Sequence, residues 1–257
     1  MDVSIITVCY NSEATIRKTI ESVLAQTCPP MEYIIVDGSS SDGTLAVVQG
    51  FAEQFADANI DLRIVSEPDN GIYDAMNKGI RMARGQLVGI INSDDWYEPI
   101  ALETAVKAMA EEPYDLFYAD INLIRANGSI LVKRSRLDRF PSSRHWNHPT
   151  TFITKQTYET DASGLYIAET FPEGEILLKT VYDDFDLILR LRKAGKRIAI
   201  RNVVLANFRT GGASNEKSLK KCVNRLKARY GYYRRNGYSR LYIFECVAME
   251  IAKFILA

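Results

Sequence analysis

The chain has 257 residues, of which 47% are hydrophobic and 25% are charged. This is an ordinary globular composition, with room for one α/β domain or one domain with an appendage. The 32 basic and 32 acidic residues cancel, but residues 217–240 hold nine Lys or Arg and no acidic residue. The remainder is therefore acidic, and the C-terminal part has to be interpreted separately.

The cysteines and the N-terminus indicate a reducing, cytoplasmic setting. The four cysteines form no CxxC pair, which argues against a zinc site; they are Cys9, Cys28, Cys222 and Cys246. The sequence runs from Met1 straight into an apolar strand pattern, so we expect no signal peptide. No uncharged apolar run reaches the roughly 18 residues that a membrane span needs.

The first part of the chain alternates strand and helix patterns. Strands are predicted at 3–9, 33–37, 62–65 and 87–91, and helices at 14–25, 44–55, 72–83 and 101–109. Ser12 and Asp42 are predicted to cap the helices that follow them. The βαβ alternation with short connections predicts a mostly parallel sheet with helices on both faces.

The pattern changes after residue 112. Strands are predicted at 116–124, 130–133, 151–154 and 198–208, with a hairpin at Asn127-Gly128 and a helix at 183–193 closed by Gly195. From residue 219 onward the chain is predicted to be helical, with an interruption near 236–237. We expect two halves of one domain, 1–112 and 113–212, followed by a C-terminal region, 213–257.

Polar residues gather where the predicted parallel strands end, at Tyr10-Asn11, Asp37, Asp69 and Asp94-Asp95. Open α/β sheets bind ligands outside the carboxyl ends of their strands. Adjacent carboxylates suit Mg²⁺ or Mn²⁺ and, through the metal, a diphosphate. The alternative for each acid is turn or cap chemistry. There is no GxGxxG or GxxxxGK[ST] motif, so neither a dinucleotide fold nor a P-loop is supported.

Several motifs together resemble family 2 glycosyltransferases with the GT-A fold. They are 3–11 (VSIITVCYN), 36–44 (VDGSSSDGT), 71–79 (GIYDAMNKG), 83–85 (ARG) and 92–95 (NSDD). Their order and spacing are similar to those of bacterial members that build O-antigen, capsule or exopolysaccharide repeat units. The likeness covers about residues 3–212.

The resemblance implies a role for each matching position. Asp95 matches the metal ligand, for Mn²⁺ or Mg²⁺, and Asp183-Asp184 matches an acidic pair whose second member is the usual general base. His148 matches a histidine near the diphosphate or acceptor, although a structural histidine is the alternative. The expected nucleotide-sugar contacts, with Asp37 on a uracil base, are Thr7, Tyr10, Asn11, Asp37, Asp69, Asp74, Asn77 and Asp94.

The implied activity is an inverting transfer from a nucleotide sugar, most simply a UDP-sugar, to a saccharide on a polyprenyl diphosphate. Two alternatives remain. A sugar nucleotidyltransferase would need a glycine-rich basic loop where this chain has residues 10–13 (YNSE). A non-catalytic scaffold that binds nucleotide sugars would have no need of Asp95 or Asp184.

The C-terminal region is predicted to be amphipathic. Its apolar positions recur at three- and four-residue spacing, at Leu241, Phe244, Ala248, Ile251 and Ile255. Cations and tyrosines precede them, which suits an anionic membrane surface at the inner face of the cell membrane. A helix packed on the catalytic domain or a partner is the alternative. No nucleic-acid-binding motif accompanies the charge, so we expect no nucleic-acid partner.

Overall fold

The computed structural model describes residues 1–142, 144–160, 165–166, 183–210 and 219–256, without the side chains of 160, 183, 219–221 and 252–256. The strands are β1 Val3–Cys9, β2 Glu32–Asp37, β3 Asp61–Ser66, β4 Leu87–Ile90, β5 Trp96–Tyr97, β6 Leu116–Ile124, β7 Ile130–Lys133, β8 Phe152–Thr154 and β9 Ile198–Arg209. The helices are α1 Ile16–Leu24, α2 Thr44–Gln49, α3 Ala52–Asp57, α4 Ile72–Met82, α5 Ala101–Glu111, α6 Lys155–Thr160, α7 Asp183–Lys193, α8 Leu219–Arg235 and α9 Tyr242–Leu256.

One mixed sheet organises the described chain. Its strand order is β3-β2-β1-β4-β8-β6-β9-β5, with β7 added to β6. Strands β3, β2, β1 and β4 are parallel, as predicted, but β8 and β5 pair antiparallel with their neighbours. The α/β class is confirmed, and the parallel arrangement dominates only the N-terminal half.

Apolar side chains cover both faces of the sheet. Strands β1, β2 and β4 are buried along their whole length, which explains their near-continuous runs of Ile and Val. Helix α4 lies so close to β1 at Gly79 that a Cβ there would be 2.5 Å from Cγ2 of Ile6. A glycine there lets the helix approach the sheet that carries the candidate site.

Two local predictions in the first part of the chain are wrong. The helix predicted at 44–55 is two helices, α2 and α3, divided at Gly50, which has low helix propensity. Ser12 does not cap α1 with its side chain. Its carbonyl accepts the amides of Thr15 and Ile16, and its hydroxyl lies 2.8 Å from that of Ser93.

The C-terminal helices are joined by a turn with Gly237 at φ +70°, where the interruption was predicted. Helix α8 packs on α7, and α9 packs on α8. Within the part of the chain that the structure describes, no helix combines the length and apolarity needed to cross a bilayer. The predicted domain limit at 212–213 lies outside the described residues.

A buried carboxylate on β2 is bonded to β1 and to the loop before β4. Glu32 has no exposed surface and accepts hydrogen bonds from Ser4 Oγ at 2.6 Å and from Arg84 N and Nε at 2.6 and 2.9 Å. Burial acts to raise the pKa of Glu32, but the hydrogen bonds from Ser4 and Arg84 outweigh it and hold the pKa below the ordinary value of 4.5.

We expect Glu32→Gln to lower the free energy of unfolding at neutral pH by about 2 kcal/mol, since a charged acceptor of several bonds is lost. Because the folded pKa is depressed, this contribution is complete above pH 4.5 and is lost as the pH falls through the folded pKa. Urea unfolding at pH 7 and at successively lower pH checks this. The variant should lose less stability on acidification than the wild type. An equal loss would contradict the assignment, and the exposed Glu53→Gln is the matched control.

Candidate active site

Asp37 ties together the ends of three neighbouring strands. It pairs in register with Cys9 at the end of β1 and with Ser66 at the end of β3. Its carboxylate accepts from Ser66 Oγ at 2.6 Å, from the Ser40 amide at 3.0 Å, from the Ser40 hydroxyl and from Cys9 Sγ at 3.6 Å. These four donors match the roughly four lone-pair sites of a carboxylate.

The environment of Asp37 favours its charged form. Burial acts to raise the pKa of this carboxyl, but hydrogen bonds from Ser40 and Ser66 outweigh it, and the pKa lies below its ordinary value. Asp37 has no exposed surface. It therefore organises the loops around the site, and a base could reach it only if one of the serines turned away.

The loops after β1 and β2 form one hydrogen-bonded unit. The Asn11 amide donates to Ser40 Oγ at 2.8 Å, and Asn11 Oδ1 accepts from the Ser41 amide at 2.9 Å. Asn11 adopts φ +48°, a conformation that asparagine tolerates. Asp42 accepts from the amide of Thr44, as the cap interpretation predicts. Tyr10, at the start of the first of these loops, is 64% exposed.

Gly38 marks the place where Tyr10 and Asp69 meet. A Cβ on Gly38 would be 2.6 Å from Oδ2 of Asp69 and 3.5 Å from the Tyr10 ring. Oδ1 of Asp69 accepts from the Gly71 amide at 2.8 Å, whereas no described residue donates to Oδ2. Asp69 thus places a carboxylate oxygen beside an exposed aromatic ring.

Three predicted nucleotide contacts have other partners in the structure. Thr7 has no exposed surface and accepts from Tyr33 OH at 2.9 Å. Asn77 bonds to both the carbonyl and the amide of Tyr166, at 2.7 and 3.0 Å. Asp74 accepts from the Asn70 amide at 3.0 Å. Thr7 and Asn77 therefore support the site from within.

Asp94 and Asp95 follow β4 at the same edge of the sheet. Asp95 has no exposed surface, and its Oδ1 accepts from the Arg209 amide at 3.0 Å, while its buried Oδ2 has no hydrogen-bond partner. Burial raises the pKa of Asp95 well above its ordinary value, and the charge of Asp94 adds to this. Burial also raises the pKa of the half-exposed Asp94, which Arg209 opposes.

This pair of carboxylates fits a divalent cation. A buried carboxylate oxygen without a donor is costly unless a cation is near it, and Mg²⁺ and Mn²⁺ prefer such oxygens. Among the described residues, no group of three His, Cys, Asp or Glu side chains converges as a metal site. The carboxylate oxygens that could bind a cation here are those of the partly exposed Asp94 and Oδ2 of Asp95.

Basic and aromatic side chains beside this pair were not predicted. The Lys18 ammonium lies 3.3 Å from the centre of the Trp96 ring, and the Arg209 guanidinium lies 5.7 Å from it. Arg209 reaches Asp95 because the two-residue strand β5 pairs with β9. A strand of two residues gives no periodic signal, so the sequence offered no means of finding this contact.

The other side of the site combines α7 with the 3₁₀ turn His148–Thr150. His148 Nε2 lies 3.1 Å from Tyr166 OH, and its ring packs edge-on against Trp146. Burial lowers the pKa of His148, while the negative charge of Asp184 acts in the opposite direction. Asp184 is half-buried in the first turn of α7 and accepts from the Phe185 amide at 2.7 Å. The Asp183 side chain lies outside the described residues.

The sequence and the fold of the chain are similar to those of known proteins. The sequence profile of the family described as "Glycosyl transferase family 2" matches residues 4–167. The chain belongs to this family.

Curated family members support the assignment over part of their length. A PGL/p-HBAD biosynthesis glycosyltransferase of Mycobacterium bovis is 32% identical over 159 residues, covering 61% of this chain and 60% of that protein. The putative glycosyltransferase EpsH of Bacillus subtilis is 34% identical over 110 residues, covering 43% and 31%. The match thus spans about three-fifths of the length of the first of these relatives.

Solved structures confirm the predicted GT-A fold. TarS 1-349 of S. aureus in complex with UDP has a TM-score of 0.64 at 17% identity, covering 100% of this chain and 72% of that one. The mannosyltransferase PcManGT of Pyrobaculum calidifontis, in complex with GDP-Man and Mn²⁺, has a TM-score of 0.62 at 17% identity, covering 96% and 69%. At these identities the likeness establishes the fold.

We expect Asp37→Asn and Asp69→Asn to differ in their effect on stability. The first exchanges an ionised, fully bonded acceptor for an amide and should lower the free energy of unfolding by about 2 kcal/mol. The second changes an oxygen that no described donor reaches and should cost less than about 0.5 kcal/mol. Chemical unfolding of both variants without nucleotide checks this. Equal losses would contradict the division of roles between the two acids.

Proposed function

We propose that the protein is a metal-dependent, inverting glycosyltransferase that uses a nucleotide sugar, with a UDP-sugar as donor. The observation that carries the proposal is the pair Asp94 and Asp95, with its unpartnered buried oxygen, at the sheet edge that also presents Tyr10 and Asp69. Membership of glycosyl transferase family 2 gives the reaction class.

In this proposal Tyr10 and Asp69 receive the nucleobase. The exposed Tyr10 ring offers a stacking surface, and Oδ2 of Asp69 is an acceptor for an N–H of uracil. Asp37 holds the loop in which both act. The complexes of TarS with UDP and with UDP-GlcNAc support a uridine donor, and the GDP-Man complex of PcManGT makes a guanosine donor the one to test next.

Asp94 and Asp95 would hold the metal, with Asp94 also near the ribose. Bound there, Mn²⁺ or Mg²⁺ would act as a Lewis acid for the departing diphosphate. The Mn²⁺ in the PcManGT complex supports this use of the site. Arg209 adds a fixed positive charge beside both carboxylates, which favours their ionised forms.

Asp184 is proposed as the general base. As the acceptor oxygen attacks the anomeric carbon, the bond from that carbon to the diphosphate breaks, and the acceptor proton passes to Asp184. A carboxylate is a strong enough base, because the hydroxyl becomes acidic only as the new bond forms. Tyr166 and His148 lie within electrostatic reach of Asp184 and border the acceptor side.

The proposed acceptor is a saccharide carried on a polyprenyl diphosphate at the inner face of the cell membrane, for a cell-surface polysaccharide. The names of the relatives, which include a hyaluronan synthase and a chondroitin synthase of Pasteurella multocida, support a saccharide product. The competing function is a scaffold that binds nucleotide sugars without turnover. Such a scaffold would tolerate the loss of Asp184.

The donor class can be read from thermal unfolding with nucleotides and nucleotide sugars, each with and without Mn²⁺. We expect UDP or one UDP-sugar with Mn²⁺ to stabilise the fold by about 2.7 kcal/mol at a hundredfold excess over its Kd. Asp94→Asn and Asp95→Asn should remove the Mn²⁺-dependent part, and Asp69→Asn should weaken UDP binding about tenfold. No shift with any uridine or guanosine nucleotide would overturn the proposal.

The Asp184→Asn variant distinguishes the enzyme hypothesis from the scaffold hypothesis. We expect this variant to bind the nucleotide sugar as the wild type does and to lose at least about a hundredfold in kcat, since a general base contributes that much. Donor hydrolysis and transfer to lipid-linked saccharides are the measurements. Unchanged turnover would remove Asp184 from the mechanism, and wild-type protein without turnover on any acceptor would favour the scaffold.

A further inference from the structure

Helix α9 turns its apolar side toward solvent. Leu241, just before the helix, is 70% exposed, Phe244 is 71% exposed and Ile251 is 54% exposed. Val247 and Ala248 lie between them and are exposed as well. Spacings of three and four residues put these side chains on one face of the helix. A helix packed in the ordinary way would bury this face.

The acidic residues of α9 point inward. Glu250 is only 3% exposed, and its carboxylate lies 3.0 Å from the guanidinium of Arg225 and 3.5 Å from that of Arg229, both on α8. Rotating α9 to bury its apolar face would break this buried ion pair, and breaking such a pair costs about 3–5 kcal/mol. The ion pair therefore fixes the apolar face outward.

A second apolar element is attached to the same helices. In the segment 134–142, which we call the basic loop, Leu137 and Phe140 are 52% and 68% exposed. Pro141 O accepts from Tyr233 OH on α8 at 2.7 Å, and Ser142 Oγ donates to Glu245 on α9 at 2.6 Å. The end of the basic loop is thus bonded to the residue that follows Phe244.

Most of the charged residues near these apolar residues in the sequence are basic, with Asp138, Glu245 and Glu250 as the acidic exceptions. Residues 217–244 contain no acidic residue. The exposed cations in or next to the basic loop are Arg139, Arg144 and Arg136, of which Arg136 is paired with Asp138 at 3.1 Å. Those on or between the two C-terminal helices are Lys227, Arg234 and Arg240. A second copy of the chain would bring the same cations together across a symmetric contact, whereas anionic headgroups would neutralise them.

We propose that the outward face of α9 and the apolar tip of the basic loop, Leu137 and Phe140, together form a docking surface for an anionic lipid bilayer. Apolar side chains enter the interface while the surrounding arginines contact headgroup phosphates. Trp146 and His148 follow the basic loop by only a few residues in the sequence, so docking would hold the acceptor side of the site near the bilayer. This last consequence rests on the proposed function, but lipid binding does not.

The test is flotation of the full chain with vesicles of phosphatidylcholine alone and of equimolar phosphatidylcholine and phosphatidylglycerol. We expect binding to the mixed vesicles that falls with added salt. Phe244→Ser and Phe140→Ser should each weaken it about tenfold, through the loss of a buried aromatic side chain. Arg139→Glu should weaken it by a similar factor. Ile100→Ser, which changes an exposed apolar residue before α5, is the matched control.

Three outcomes would overturn the proposal. One is equal flotation with both vesicle types, and another is wild-type binding by Phe244→Ser. The third is a wild-type dimer in analytical ultracentrifugation that Phe244→Ser converts to a monomer, since the face would then bind a second copy. Circular dichroism and the nucleotide-induced thermal shift of each variant show whether the fold and the nucleotide site persist. A failure of lipid binding is thereby distinguished from a failure of the nucleotide site.

Discussion

The candidate site depends on one buried carboxylate shared by three strand ends. Parallel strands supply no turn that would fix their carboxyl ends to one another, so the loops beyond them need another constraint. Asp37, the last residue of β2, provides it, because its oxygens accept from Cys9 and Ser66 at the ends of β1 and β3 and from Ser40 in the loop after β2. The hydrogen bonds keep the carboxylate ionised in spite of its burial. Tyr10 and Asp69 owe their positions to loops held in this way, so they are free to contact a ligand.

The two acidic centres at this edge differ in how far protein donors satisfy them. Asp37 has a donor for each accepting position, whereas Oδ2 of Asp95 has none and the pKa of Asp95 is raised. Low dielectric makes such an orphaned oxygen expensive without a cation. A satisfied carboxylate supports the loops, and an unsatisfied one beside the half-exposed Asp94 is suited to a metal. This contrast is the physical reason for proposing a structural role for Asp37 and a metal-binding role for Asp95.

The sequence was sufficient to predict elements that are long enough or bounded by clear turn residues. Strands β6 and β7 and helix α7 have the predicted bounds, because apolar runs, the Asn127-Gly128 turn and Gly195 mark them. The sequence did not predict contacts that depend on which strands pair in the folded sheet. The contact of Arg209 with Asp95 needs β5, which is too short to show a period. Motif matching placed Asp37 and Asp69 near one ligand, but only the hydrogen bonds distinguish the saturated acid from the available one. The burial of Thr7 and Asn77 was likewise not predicted, because the resemblance gave their place in the motifs and not their hydrogen-bond partners.

Periodicity revealed that α9 has an apolar face, but it could not reveal which way that face points. An amphipathic pattern predicts burial against the domain as readily as contact with a bilayer. The direction is set by Glu250, because its charge must reach Arg225 and Arg229 on α8. An ion pair of this kind contributes little net stability compared with an apolar contact, but breaking it is costly, so it selects one rotation of the helix over the others. The buried ion pair therefore keeps Phe244 and Ile251 on the solvent side of the helix. Their exposed apolar area is unfavourable in water until another surface covers it.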